Sequence, residues 1–384
     1  MNSLICKLIS NFKLKLKNSI SKYQNEMLFQ NAFQNLPFVR VAFMHISHHY
    51  HRTSYILHAS HYRYITLHSK YKIQYHYYTY TYRAITFVGS SPIAKLISER
   101  CHKLHKRCIA LGGAKNHLIA LPDCDIEDTA RDIVVSSAGC AGQRCMAASV
   151  LLLVGGPHAD ADGNSDGADS VGVARLQEKL IQKVVEKAKG IGKGLGPGQI
   201  GPVIDQASFE KIHKYIREAE QSGAEILLDG RSWDCEEGHW VGPTIIKHAS
   251  KDDSAMKEEI FGPVLSVYTA SSWTEAIEIE NSNPFGNAAC IYTSNGGYAE
   301  WFTRRFRAAM LGVNVGIPVP REPFSFGGLY GTCSKYGDMD ITGDGAMEFF
   351  SNRIKITTKW IVPKIDEPSI TNGPVDQANF AGTM

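Results

Sequence analysis

The segment SSAGCAGQRCMAASVLLLVG, residues 136–155, sets two thiols among small side chains ahead of an apolar run. A cysteine acts as a nucleophile through its thiolate, so it needs access and a depressed pKa. Small neighbours let a ligand approach, and an adjacent guanidinium supplies positive potential. Arg144 directly precedes Cys145, whereas no cation adjoins Cys140. Cys145 is therefore the candidate nucleophile and Cys140 the spectator. The competing reading for either is a packed core thiol, the usual fate of an isolated cysteine.

Other stretches carry weaker signals. LGGAKNH, residues 111–117, is a glycine pair before a lysine and reads locally as a turn. KEEIFGPVL, residues 257–265, puts two carboxylates before an aromatic-Gly-Pro turn, where a solvated pair is the ordinary reading. GIGKGLGPGQIGP lacks the G-K-[ST] ending of a phosphate loop and opens no helix, so it is a connector. DGNSDG, residues 162–167, matches the first half of a calcium loop, but the twelfth position falls on Val173, which favours an exposed acidic insertion. No metal site is expected.

From Ala84 onward, short apolar segments alternate with amphipathic helical ones, the pattern of an α/β protein. AITFVGS reads as a strand ending in a glycine turn. VARLQEKLIQKVVEKAKG places Val173, Leu176, Leu180, Val184 and Ala188 on one helical face, with Gly190 as a stop. SFEKIHKYIREAEQSG buries Phe209, Ile212, Ile216 and Ala219 on a second helix, before the strand AEILL. PVLSVYTA and AACIYT are further strands, and Ser272 with Glu275 forms a capping box between them. A helix around Trp301 leads into LGVNVG.

The chain of 384 residues is 43% apolar and 21% charged, ordinary for a globular protein of two domains. Its 41 basic and 38 acidic residues are too evenly matched for general nucleic-acid binding. Nine scattered cysteines without a C-x-x-C pair suggest neither a disulfide framework nor a zinc ribbon, and fit a reducing compartment. The apolar run at Val150–Val154 is far shorter than the roughly 18 residues of a membrane span.

Residues 1–83 are different in kind. They contain no glycine, one acidic residue (Glu26), eight of the fifteen histidines and eleven of the seventeen tyrosines. Strings such as HISHHYHRTSY lack metal-ligand spacing and read as compositional bias. The start, MNSLICKLISNFKLKLKNSISKY, is basic and acid-free with Leu4, Leu8, Phe12 and Leu16 four apart, like a mitochondrial transit peptide; a chance match within the biased segment is the alternative. The expected localisation is the mitochondrial matrix, otherwise the cytoplasm.

FVGS, LGGAKNH, AGQRCMA, EEIFGPVL, NPFGN, GVNVGIPVP and FSFGG, in this order, resemble the aldehyde dehydrogenase superfamily over residues 84–360. The forms GGAKNH, GQRCMA and GVNVGIPVP are most similar to its CoA-acylating branch, which acts on methylmalonate semialdehyde in valine, thymine and inositol breakdown. The resemblance implies an α/β fold with a truncated Rossmann-type cofactor domain, an α/β catalytic domain and an oligomerisation strand near RIKITTKW. Residues 1–83 then form an atypical, poorly ordered segment, 84–110 a remnant of the NAD-binding domain, and 111–328 the catalytic domain. Residues 329–360 return to the cofactor domain, and 361–384 are a disordered tail.

By the same resemblance Cys145 attacks the aldehyde, a hydride passes to NAD, and coenzyme A takes the acyl group as propionyl-CoA, or acetyl-CoA from malonate semialdehyde. Arg144 matches the residue that holds the substrate carboxylate. Gly89 and Ser90 match the turn that approaches the NAD pyrophosphate, Glu259 the carboxylate on the nicotinamide ribose, and Phe261 the aromatic beside the nicotinamide ring. Hydrolytic relatives carry a glutamate where this chain has Leu111, 145 − 111 = 34 positions before the nucleophile, which implies thiol rather than water as acyl acceptor. Residues 1–83 do not resemble the family's first section. The expected partners are a small semialdehyde, CoA and further copies of the chain, with no nucleic acid and no membrane. The rival reading is a catalytically impaired homologue that serves as a non-catalytic subunit.

Overall fold

The computed structural model describes residues 57–59, 62–67, 82–155, 167–233 and 238–358. The basic start, most of the His/Tyr-rich strings, residues 162–166 of DGNSDG and the tail beyond 360 lie outside the described residues.

Two larger sheets carry the fold. The smaller is built from β1 (Leu57–Ala59), β2 (Tyr62–Leu67), β3 (Tyr82–Val88), β4 (Arg107–Leu111) and β14 (Lys335–Tyr336), side by side in the order β1-β2-β3-β4-β14. Strands β2, β3 and β4 run parallel, with antiparallel partners at both edges. Helix α1 (Ser91–Lys103) makes the crossover from β3 to β4. Period-two alternation is legible in the packing: Ile85, Phe87 and Ala110 face Ala94, Ile97 and Cys101 of α1. Ala84, Ile109 and Leu111 face the other way, onto Phe349 of α8 (Gly343–Phe350).

The larger sheet holds β5 (Asn116–Ala120), β6 (Ala148–Leu153), β9 (Glu225–Leu228), β10 (Thr244–Lys247), β11 (Val264–Thr269), β12 (Ala288–Tyr292) and β13 (Met310–Val313), ordered β13-β12-β5-β6-β11-β10-β9. All neighbours are parallel except β9 and β10. A parallel sheet must be covered on both faces, and its central strands are mostly apolar. Leu118, Leu151, Leu153, Leu265 and Cys290 pack towards α2 (Ile126–Ala138) and α3 (Gly167–Lys189). Ile119, Val150, Leu152 and Ile291 pack towards α6 (Trp273–Ser282) and α7 (Gly296–Thr303). The glycine-rich connector forms a two-stranded ribbon, β7 (Gly192–Lys193) with β8 (Gln199–Ile200).

Helical faces follow the expected spacing with instructive exceptions. On α3, Leu180, Val184 and Ala188 are buried while Leu176 stays 39% exposed, so the first turns overhang the sheet. On α4 (Gln206–Gln221), Ile212, Ile216 and Ala219 are buried, Tyr215 joins them, and Phe209 packs at the edge. Its N-cap Asp205 accepts from Ser208 N at 2.8 Å. Ser272 caps α6 by accepting from Glu275 N at 3.0 Å, but the Glu275 carboxylate returns to Ser271 N at 2.7 Å, one residue earlier than in the usual box.

The chain leaves the smaller sheet at Leu111 and enters the larger at Asn116 through residues 112–115, and it returns through residues 314–334 to β14. Gly112 N donates to Ser334 O at 3.0 Å. Ser91 Oγ accepts from Gly113 N and donates to Cys333 O, each at 2.8 Å, and Ser334 Oγ donates to Gly113 O at 2.7 Å. Arg353–Thr358 forms no strand in the single chain, and Ile354 and Ile356 are 82% and 83% exposed.

Glu280 on α6 is buried, and its carboxylate accepts from Arg307 N at 2.9 Å. Burial raises its pKa from the ordinary 4.5 to about 7. The native state then holds a proton that the unfolded chain releases, so this group costs stability as pH rises from 4.5 through about 7. Glu280→Gln is expected to flatten that loss. Urea unfolding at about pH 5 and pH 8 should show the variant gaining on the parent by a few kcal/mol at the higher pH; an equal difference at both would reject the assignment.

Candidate active site

Helix α2 delivers the chain to Cys145. It is capped at Asp125, whose side chain accepts from Asp128 N at 2.8 Å, and it ends at Gly139. Cys140, Ala141 and Gly142 then adopt left-handed backbone in succession, with φ of 56°, 53° and 66°. A Cβ at Gly142 would stand 2.0 Å from Gly262 O, so only glycine lets the cysteine loop press against the Phe-Gly-Pro turn. Gln143 ties the same loop to the connector after β8, accepting from Ile204 N at 2.9 Å. Cys145 lies half-buried three residues before β6, and Cys140 is exposed.

Cys145 lines a cleft together with Lys115, Arg144, Glu259 and Phe261. Arg144 turns back onto the end of α2, where Nη2 donates to Val135 O at 2.7 Å and Ser136 O at 3.3 Å, a cation at a helix C-terminus. Its buried Nε has no hydrogen-bond partner among the described residues. Burial pushes the Cys145 thiol up, and Glu259 adds to the rise; the backbone N–H groups of Cys145 and Met146 and the Arg144 charge pull it down. Arg144 thus acts in the direction expected from its adjacency, but burial outweighs it.

The two glutamates separate in role. After α5 (Ser254–Lys257), Glu258 takes the Tyr215 hydroxyl at 2.5 Å and belongs to the packing of α4. Glu259 points the other way, where its carboxylate accepts from Ala114 N at 2.9 Å, and a Cβ at Gly113 would meet Oε2 at 2.4 Å. Burial raises the Glu259 pKa against the pull of that N–H and of Lys211 and Lys115. Lys211 Nζ also fixes the Glu259 carbonyl at 2.7 Å. Phe261 has φ of 59° and is 40% exposed on the cleft wall. A left-handed aromatic costs on the order of 1–3 kcal/mol, and such strain collects at functional sites.

Gly89 and Ser90 lie beside the other end of the crossing. Gly89 N donates to Leu111 O at 3.0 Å, and Ser90 caps α1 through its carbonyl alone, with no side-chain bond and no acid in the first turn. Leu111 is buried between Ala84, Ile109 and Phe349, so no carboxylate reaches the cleft from that position. The structure therefore gathers Arg144, Cys145, Glu259 and Phe261 around one cleft, and links Gly89 and Ser90 to it through Ser91.

Sequence reasoning passed over three residues. Lys115 is buried and donates to Ala255 O at 2.7 Å, and burial lowers its pKa to about 7 against the opposing pull of Glu259. Asn116 and Asn287 bond the backbone of Cys145 itself. Their signal was position: Asn116 opens β5 and Asn287 directly precedes β12, each a polar residue ahead of a mostly apolar run.

Comparison with known proteins places these residues in a wider setting. The profile of the aldehyde dehydrogenase family matches residues 79–161 and 171–355. Malonate-semialdehyde dehydrogenase 1 of Geobacillus thermodenitrificans is 38% identical over 280 residues, 72% of this chain and 54% of the relative. The malonate-semialdehyde dehydrogenase of Halalkalibacterium halodurans is 39% identical over 279 residues. The chain spans about half the length of the curated relatives it matches. Among solved structures, the methylmalonate-semialdehyde dehydrogenase of Oceanimonas doudoroffii superposes with a TM-score of 0.65 at 34% identity, covering 75% of this chain and 56% of that one. A Sinorhizobium meliloti 1021 structure assigned to the same enzyme and complexed with NAD gives 0.66 at 32% identity, covering 77% and 57%.

Proposed function

Because the chain belongs to the aldehyde dehydrogenase family, we propose that it carries the catalytic machinery for NAD-dependent, CoA-acylating oxidation of malonate and methylmalonate semialdehyde. The observation that carries this reading is the cleft in which Cys145 faces Arg144 and Glu259 while Leu111 turns into the core. The named relatives support the substrate class.

The residues suit NAD. The uncapped N-terminus of α1, without an acid in its first turn, fits a pyrophosphate. The Glu259 carboxylate fits ribose hydroxyls, and the exposed face of Phe261 fits a flat ring. Bound there, NAD supplies the hydride acceptor.

Cys145 attacks the aldehyde carbonyl as the thiolate, which its own N–H and that of Met146 help to stabilise. Arg144, which lines the cleft, donates from its guanidinium to the substrate carboxylate. Loss of hydride leaves a thioester on Sγ. The acyl group loses its carboxylate as carbon dioxide, its α-carbon taking up a proton in exchange, and passes to the sulfur of CoA as the bond to Sγ breaks and the CoA thiol gives up its proton. With Leu111 packed away from the cleft, no carboxylate from this position activates water, and the thiol prevails. The exposed Ile354 and Ile356 suit a strand paired with another copy of the chain, and the basic start suits import into mitochondria.

A second reading, a non-catalytic subunit, is favoured by the burial that raises the Cys145 thiol. NADH formation by the purified chain with methylmalonate semialdehyde and NAD, with and without CoA, separates the two. The expected result is CoA-dependent turnover; a folded but silent chain would favour the non-catalytic subunit.

A further inference from the structure

Cys145 is gripped from behind. In the larger sheet β12, β5 and β6 are neighbours, and their N-terminal ends bring Asn287, Asn116 and the Cys145 segment together. Asn116 Nδ2 donates to Cys145 O and to Ala147 O, both at 2.8 Å, and Asn287 Nδ2 donates to the same Cys145 O at 2.8 Å. The register shift between Asn116 and His117 against β6 aims the Asn116 side chain at this point. The carboxamide orientation is set by Ala288 N, which donates to Asn116 Oδ1 at 3.1 Å and so requires oxygen there. Asn287 Nδ2 also lies 3.2 Å from Met146 Sδ and 3.4 Å from Asn116 Oδ1. Both asparagines are buried, so each bond is made away from water.

A peptide group has two ends. The carbonyl held by the two carboxamides belongs to the same unit as the Met146 N–H, and that N–H supports the sulfur. Donation to a carbonyl polarises the whole amide and strengthens its N–H as a donor, by roughly 10–30% per bond. Two carboxamides on one oxygen therefore act on the sulfur from the far side of the peptide.

We infer that Asn116 and Asn287 are positioning residues for the nucleophile: they fix the Cys145–Met146 peptide so that the thiol faces the cleft, and they strengthen the N–H that stabilises its thiolate. The inference rests on Cys145 being the nucleophile. The charged groups around the sulfur are Glu259, which disfavours the thiolate, Arg144, which favours it, and Lys115 on the cleft wall.

The test is the pH dependence of iodoacetamide alkylation at Cys145 in the full chain, followed by mass spectrometry, with the exposed Cys140 as internal reference. Asn287→Ala should move the Cys145 profile to higher pH and slow alkylation near pH 7 by about two- to fourfold, the share that one polarising bond lends the N–H on the sulfur, with Cys140 unchanged. Asn287→Ser supplies the same comparison if alanine fails to fold, and Asn116→Ser should shift the profile in the same direction. A lower melting temperature with an unmoved Cys145 profile would make the asparagines purely structural and overturn the inference alone. A Cys145 that resists alkylation in the unaltered chain would overturn the nucleophile reading and this inference together.

Discussion

A chain carrying Cys145→Ala forms no measurable NADH from malonate or methylmalonate semialdehyde, with or without CoA. Removing a covalent nucleophile costs on the order of 10⁴-fold or more, and no other cysteine can substitute because the cleft is lined by this one alone among the described residues. The fold survives, since the structural bonds at this position run through the Cys145 carbonyl to Asn116 and Asn287 and not through the thiol. Parallel rate and circular dichroism measurements check both halves. Turnover that persists in a folded variant would remove Cys145 from the mechanism.

Gly142→Ala should be nearly as damaging without touching a reactive atom. The new methyl would stand 2.0 Å from Gly262 O on a residue with φ of 66°, so the backbone resists it on both counts. The left-handed strain alone costs about 1–3 kcal/mol. Whichever loop yields, either Cys145 or the Glu259–Phe261 wall shifts, and a displacement of about 1 Å in a reacting group is enough to lose 10²-fold in rate. Steady-state NADH formation and urea unfolding measure the two effects. Parent-like rates in the variant would mean that the two loops do not need their close contact.

Much of this architecture was legible because it depends on near neighbours in sequence. The apolar runs of β11 and β12 and the cap at Ser272 need only a few residues of context, and each forms where periodicity and cap chemistry put it. The two-residue β14 had no such signal, because its pairing with β4 is a tertiary event. The cleft followed the same divide. Arg144 could be paired with Cys145 by adjacency, but its Nη2 bonds to Val135 and Ser136 and the weight of burial on the thiol required coordinates. Lys115 sat inside a quoted motif, yet its acceptor, Ala255 O, is 140 positions away. The residues 1–83 offered composition without pattern, and strands β1 and β2 within them had no alternation to announce them.

The four-residue crossing from Leu111 to Asn116 also sets a limit on modularity. It is short in sequence but braced by bonds spanning 22, 145, 221 and 242 positions, to Ser91, Glu259, Ser334 and, through Ser91, Cys333. Cutting there looks natural in sequence, but β14 and Phe349, which complete the smaller sheet and its core, lie on the far side of the cut. A chimera joined just before Gly112 would also part Ser91 from Gly113 and Cys333, so a working graft has to keep Ser91 with the glycine it holds and with the segment from 333 to 349.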